Sequence, residues 1–210
     1  MRSFSVARQA TLAGLLAAAS LYGQSKGMPA RATPGDYQAH TQVGAFTIAA
    51  EYSGHSIPDP QSVLSTEDYV VVEVGFFGPP DAHVNLSYEN FSLRVNGKKS
   101  PFPAQEVVRI YKSLKDPDFE PLVKAEAKTK TNINGSGDKG ADNGGLPPIV
   151  HIPIEVERGW EQKVQKMTLP EGDRSLPAAG LIFFEYHGKA NSLELIYNGP
   201  AGKAKLALRP

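Results

Sequence analysis

The sequence predicts a mainly β fold, a β-sandwich, and three observations carry that expectation. Short segments alternate apolar and polar residues with a period of two. Clusters of Gly, Pro and Asn separate them at hairpin lengths. Only one stretch shows a clear helical period, so the βαβ alternation that builds a parallel sheet is missing.

The first strand candidate is Ala45 to Tyr52, closed by Ser53-Gly54 and then by Pro58-Asp59-Pro60. The clearest is Tyr69 to Phe77. Val70, Val72, Val74 and Phe76 share one face, while Tyr69, Val71, Glu73, Gly75 and Phe77 share the other. This pattern predicts a strand with one buried face, ended by Gly78-Pro79-Pro80 because proline cannot donate to a ladder. Val84 to Leu86 and Phe91 to Val95 follow. Asn96-Gly97 is the favoured two-residue hairpin turn, since both positions tolerate positive φ. Lys98 to Phe102 is then the return strand, and Val107 to Tyr111 a further strand candidate.

Residues 116–148 break the rhythm and predict a long, mobile polar insertion. Phe119 to Lys130 reads as a short helix with Asp118 as cap and Pro121 in its first turn. The glycine-rich run from Thr131 to Gly145 has almost nothing to bury. Glu155 to Met167 then places Val156, Trp160, Val164 and Met167 on one helical stripe, a short crossover helix. Gly180 to Tyr186, Ser192 to Tyr197 and Lys203 to Leu208 complete the strand set.

The first 23 residues read as a secretory signal peptide rather than as part of the fold. Arg2 and Arg8 precede the apolar run Ala10 to Ala19, and small residues follow it. That run is shorter than the roughly 20 residues a membrane-spanning helix needs. The competing reading is a buried N-terminal helix. Residues 24–44 then form a flexible spacer and residues 45–210 the domain. An exported chain, periplasmic or extracellular and without a transmembrane span once processed, is the expectation.

Lys+Arg and Asp+Glu both number 22, so no basic surplus exists to neutralise phosphates and nucleic acid is not an expected partner. Removing Arg2 and Arg8 leaves 20 positive against 22 negative residues, a net charge of −2. With no cysteine, the domain must be held by packing alone.

Two parts of the chain resemble a known family. Tyr69-Val70-Val71-Val72-Glu73-Val74, the Asn85-Leu86-Ser87 step and Phe91-Ser92-Leu93-Arg94-Val95-Asn96-Gly97-Lys98 resemble the opening half of bacterial telokin-like, immunoglobulin-like exported domains. Leu176 to Phe184, with its small-residue-plus-glycine step, and Ser192 to Tyr197 resemble the closing half. The step Leu169-Pro170-Glu171-Gly172-Asp173-Arg174 is similar to one found in a group of exported bacterial proteins of unassigned function. The resemblance spans residues 45–96 and 168–210. It implies an immunoglobulin-like β-sandwich that binds or scaffolds outside the cytoplasm, and it supplies no catalytic residues.

The chemistry-bearing residues give no catalytic constellation. His40, His55, His83, His151 and His187 are scattered, with no metal-ligand spacing. Asn132, Asn134, Asp138 and Asp142 suggest calcium, but position twelve counted from Asn132 is Asn143 instead of a bidentate Glu. They read as a solvated loop. Glu171, Asp173 and Arg174 pair carboxylates with a guanidinium, yet read as an exposed, salt-bridged turn that shelters nothing. Phe77 or Phe183 facing outward would mark a sugar-stacking platform. The expectation is therefore a non-catalytic module without cofactor or metal, binding a protein or cell-envelope partner through residues the sequence does not name. A carbohydrate-binding or carbohydrate-acting sandwich is the alternative.

Overall fold

The computed structural model describes residues 27–59, 64–117 and 152–210. The residues read as a signal peptide, the helix expected over Phe119–Lys130, the glycine-rich part of the expected insertion with Asn132, Asn134, Asp138 and Asp142, and His151 lie outside the described residues. The structure is mainly β. Its principal element is an antiparallel sheet of eight strands in the order β1-β2-β4-β10-β7-β6-β11-β12. These are β1 (Ala39–Val43), β2 (Phe46–Tyr52), β4 (Tyr69–Phe77) and β10 (Ala178–Glu185), then β7 (Phe102–Gln105), β6 (Phe91–Val95), β11 (Leu193–Gly199) and β12 (Gly202–Leu208). Two small ribbons pair β3 (Ser65–Thr66) with β8 (Leu114–Lys115) and β5 (His83–Leu86) with β9 (Gly172–Ser175).

The alternation read from β4 is realised, with one difference. Val70, Val72, Val74 and Phe76 point into the main core, as the period of two requires. The opposite face is buried as well, against the expectation of a single buried face. Tyr69 and Val71 enter a second apolar cluster beneath the long helix, and Glu73 lies under the N-terminal segment. β10 behaves alike: Ile182 and Phe184 face the main core while Leu181 and Phe183 face the second cluster. Strands covered on both sides read as near-continuous apolar runs.

The sheet curls until its two ends meet. Gln38 Nε2 donates to the carbonyl of Arg209 at 2.8 Å. Gly202, at φ +130°, carries no side chain where a Cβ would come within 2.9 Å of Val43. Phe76 of β4 packs edge-on against Phe91 of β6 at 6.1 Å and Tyr197 of β11 at 5.6 Å. Neither strand is a neighbour of β4 in the sheet, so the ring contacts span the enclosed core.

The second cluster lies on the outer face. α1 (Val107–Ile110) and α2 (Ile154–Met167) cover it. Trp160 and Val164 of α2 pack with Val71, Ile110, Leu181 and Phe183. The four-residue stripe read from the sequence is the face that packs, with Val156 and Met167 at its half-buried margin. Among the described residues no helix is long and apolar enough to cross a membrane.

Three further expectations are corrected. Residues 39–43, assigned to a flexible spacer, form β1, and the segment before it is clamped to the sheet. Arg31 makes two hydrogen bonds to the buried Glu73 carboxylate at 2.8 and 3.3 Å and a third to Glu51 at 3.2 Å. Its guanidinium also lies 4.6 Å over the Tyr37 ring. Val107 to Tyr111, read as a strand, is α1 followed by a 3-10 turn, so that Val107 and Ile110 point together into the second cluster. This helical arrangement overrides β-branched preference. Asn96 and Gly97 take the positive φ that the hairpin reading requires, 52° and 68°. The connection is nevertheless longer than two residues, and Leu93 pairs with Phe102. The Asn96 side chain leaves the turn to accept from the amides of Asn191 and Ser192 at 2.7 and 3.2 Å, tying this loop to the one before β11.

The tyrosines make the fold sensitive to alkali. Tyr37, Tyr52, Tyr69, Tyr88, Tyr111 and Tyr197 all have pKa values raised above 10.0, with burial the leading cause in each. The unfolded chain then loses these protons first as pH rises past the ordinary value. The stabilisation is fully present below pH 10.0 and is lost as pH climbs through the raised values. Urea denaturation should give a smaller unfolding free energy at about pH 11 than at about pH 8, with a weaker decline in Tyr197→Phe.

Candidate functional site

The candidate site is a notch along one side of β10. On its other side β10 is paired over its whole length by β4, from Ala178–Phe76 to Glu185–Tyr69. On the notch side β7 reaches only Phe183 and Phe184 before the chain turns at Glu106 into α1. Beyond that point Thr168, just after α2, bridges to Leu181, and the Leu169 amide donates to the Leu181 carbonyl at 3.0 Å. The gap between these two partners is a cleft of about 430 Å³. That size lies within the range of small-ligand pockets.

Gly180 makes the arrangement possible. A Cβ there would lie 2.3 Å from the Leu169 Cα and 2.4 Å from its nitrogen. Backbone atoms cannot give way, so only glycine lets the segment just after α2 lie against β10. The small-residue-plus-glycine step of the sequence is thus the feature that brings one wall of the cleft into place.

Leu181, Ile182 and Phe183 line the floor although all three are buried. Val107, Val108 and Leu169 add apolar wall. Val108 is 52% exposed, one of two large apolar side chains, with Ile154, that project into solvent among the described residues. The polar lining comes from Tyr88, Gln105, Glu106, Gln165, Glu171 and Arg174. The carboxylates Glu106 and Glu171 arrive from two separate elements, the end of β7 and the step into β9.

The step from Leu169 to Arg174 is therefore more than an exposed turn. Leu169 and Pro170 are buried, and Gly172 to Ser175 form β9, paired with β5. Gly172 sits at φ +84°, where glycine is favoured. Arg174 Nε donates to the Glu171 carbonyl at 2.9 Å, and Ser87 Oγ donates to the Glu171 carboxylate at 3.2 Å. Asp173 pairs with His83 at 3.3 Å on the outside of the ribbon. Four residues of the step, Leu169, Glu171, Gly172 and Arg174, border the cleft.

The electrostatics are negative at Tyr88. Its phenol is pushed up first by burial, then by Glu106, Glu89 and Glu171, with Arg109 acting the other way. All three carboxylates act on one hydroxyl.

The other candidates are not brought together. His40, His83 and His187 are exposed on separate elements, and His55 Nδ1 lies 2.8 Å from the Tyr69 carbonyl and 3.0 Å from that of Thr66. Among the described residues no three His, Asp or Glu side chains converge as a metal site would require. Phe183 is buried in the second cluster, and Phe77 packs edge-on against Tyr37 at 5.9 Å, so neither is an outward platform. Phe102 and Tyr186 do border a groove, with ring centroids 5.5 Å apart. The Lys98 ammonium lies 5.2 and 5.8 Å from the two ring centres, competing with a sugar for the faces it covers.

Sequence reasoning missed Tyr88, Gln105, Glu106 and Gln165 because they meet only after long-range folding. The signal available beforehand was the Leu169–Arg174 step. No family model matches this chain, and neither a curated protein nor a solved structure matches it.

Proposed function

We propose that this chain is an exported, non-catalytic, immunoglobulin-like module that binds a protein partner in the cleft beside β10. The export reading draws support from Arg2 and Arg8, the short apolar run Ala10 to Ala19 and the small residues behind it. The immunoglobulin-like reading draws support from β4 facing β6 and β11 across a shared core. The observation that carries the binding role is the cleft itself, with the exposed Val108 at its rim. An apolar side chain held out beside a polar-rimmed pocket suits a surface that is covered on binding.

The test places a photo-reactive amino acid at Val108 and, as a control, at Ile154. Cross-linking in intact cells should join one defined protein to the chain from position 108 and not from position 154. Equal labelling from both positions, or none from 108, would remove the cleft as the binding site.

A further inference from the structure

We propose that the cleft selects a lysine or arginine side chain presented by an extended segment of its partner, an inference that rests on the cleft being the binding site. The dimensions support one inserted side chain. A volume of about 430 Å³ admits a long side chain with some flanking backbone but no folded element. The lining is divided in the way a basic side chain requires. Val107, Val108 and Leu169 offer apolar surface to the methylene stem. Glu106 and Glu171 offer carboxylates to the charged head.

The two acids differ in how they are held. Glu171 is oriented by Ser87, and its carbonyl is fixed by Arg174. Glu106 sits at the cap position of α1, where its side chain makes no capping hydrogen bond. It is therefore not committed to the helix end. Arg174 brings positive charge into the same cleft, so an acidic side chain is the competing ligand. The combined action of Glu106, Glu89 and Glu171 on Tyr88, opposed there by Arg109, favours the cation. Both Glu106 and Glu171 are exposed, so neutralising them should leave the fold intact.

The probe is a blocked peptide with a single central lysine among alanines, added to the processed protein while backbone amide resonances are followed. Saturable shifts are expected at Thr168, Gly172 and Tyr88. They should vanish with the acetyl-lysine peptide, which keeps the stem and removes the charge. They should weaken as salt rises. Combining Glu106→Gln with Glu171→Gln should raise the dissociation constant about tenfold or more at unchanged Tm. The inference is overturned if the lysine peptide leaves these amides unmoved, if the acetylated or a glutamate peptide binds equally well, or if the double variant binds as tightly. Position-specific cross-linking from Val108 with no response to the lysine peptide would overturn this inference alone. Without that cross-linking, the binding role itself fails.

Discussion

Phe76→Ala is expected to lower the unfolding free energy by about 3–5 kcal/mol, the range for deleting a buried aromatic ring. Phe76 is completely buried and touches both Phe91 and Tyr197. The space left behind cannot readily close, because β4 is hydrogen-bonded to β2 on one side and to β10 on the other. A cavity persists and its walls lose their packing contacts. Phe77→Ala is the comparison, since that ring is half-buried and meets only Tyr37 edge-on among the aromatic rings described. It should cost clearly less. Urea denaturation of both variants measures the difference. A loss below about 1 kcal/mol for Phe76→Ala would mean that β4 and the β6–β11 pair do not share one core.

Arg31→Ala is expected to cost about 3 kcal/mol, for a different reason. Glu73 is 4% exposed and meets Arg31 through two hydrogen bonds. Deleting the guanidinium leaves a buried carboxylate uncompensated, which is far more damaging than never having had the pair. Arg31 is itself one-third exposed, so water entering from its side keeps the loss at the lower end of the range. Arg31→Ala combined with Glu73→Leu should recover most of the stability, because no orphaned charge remains. Urea denaturation of the single and double variants decides the matter. If the double variant is as unstable as the single one, the ion pair is not the origin of the effect. Limited proteolysis should also show residues 27–38 opening in Arg31→Ala, since the same side chain holds Glu51 and the Asp36 carbonyl.

The local pattern was legible wherever periodicity and burial agree. β2, β6, β10, β11 and β12 lie close to where alternation places them, and α2 matches its four-residue stripe. What stayed hidden depends on contacts distant in sequence. Ala39-His40-Thr41-Gln42-Val43 has too few apolar residues to announce a strand, yet it pairs with β2 through a tight turn at Gly44. Glu73 within a valine run looks like a solvent-facing position until Arg31 reaches it across 42 residues. Val107 and Val108 favour a strand by type, whereas the second cluster draws Val107 and Ile110 to one side of a helical turn. The site obeyed the same division. Glu171 and Arg174 belong to a step visible in the sequence, while Glu106 and Tyr88 join them only because β7 stops two residues into its pairing with β10.

The meeting of β1 with β12 also bears on how this chain behaves in a crowd. The end strands of an open sheet expose rows of unpaired amides and carbonyls, which recruit strands from other copies and start aggregates. Here each end strand stands in front of the other, with Gln38 reaching Arg209 where they meet. Curling the sheet therefore screens the two edges most exposed to self-association. A protein without disulfides to lock its strands gains this protection from shape.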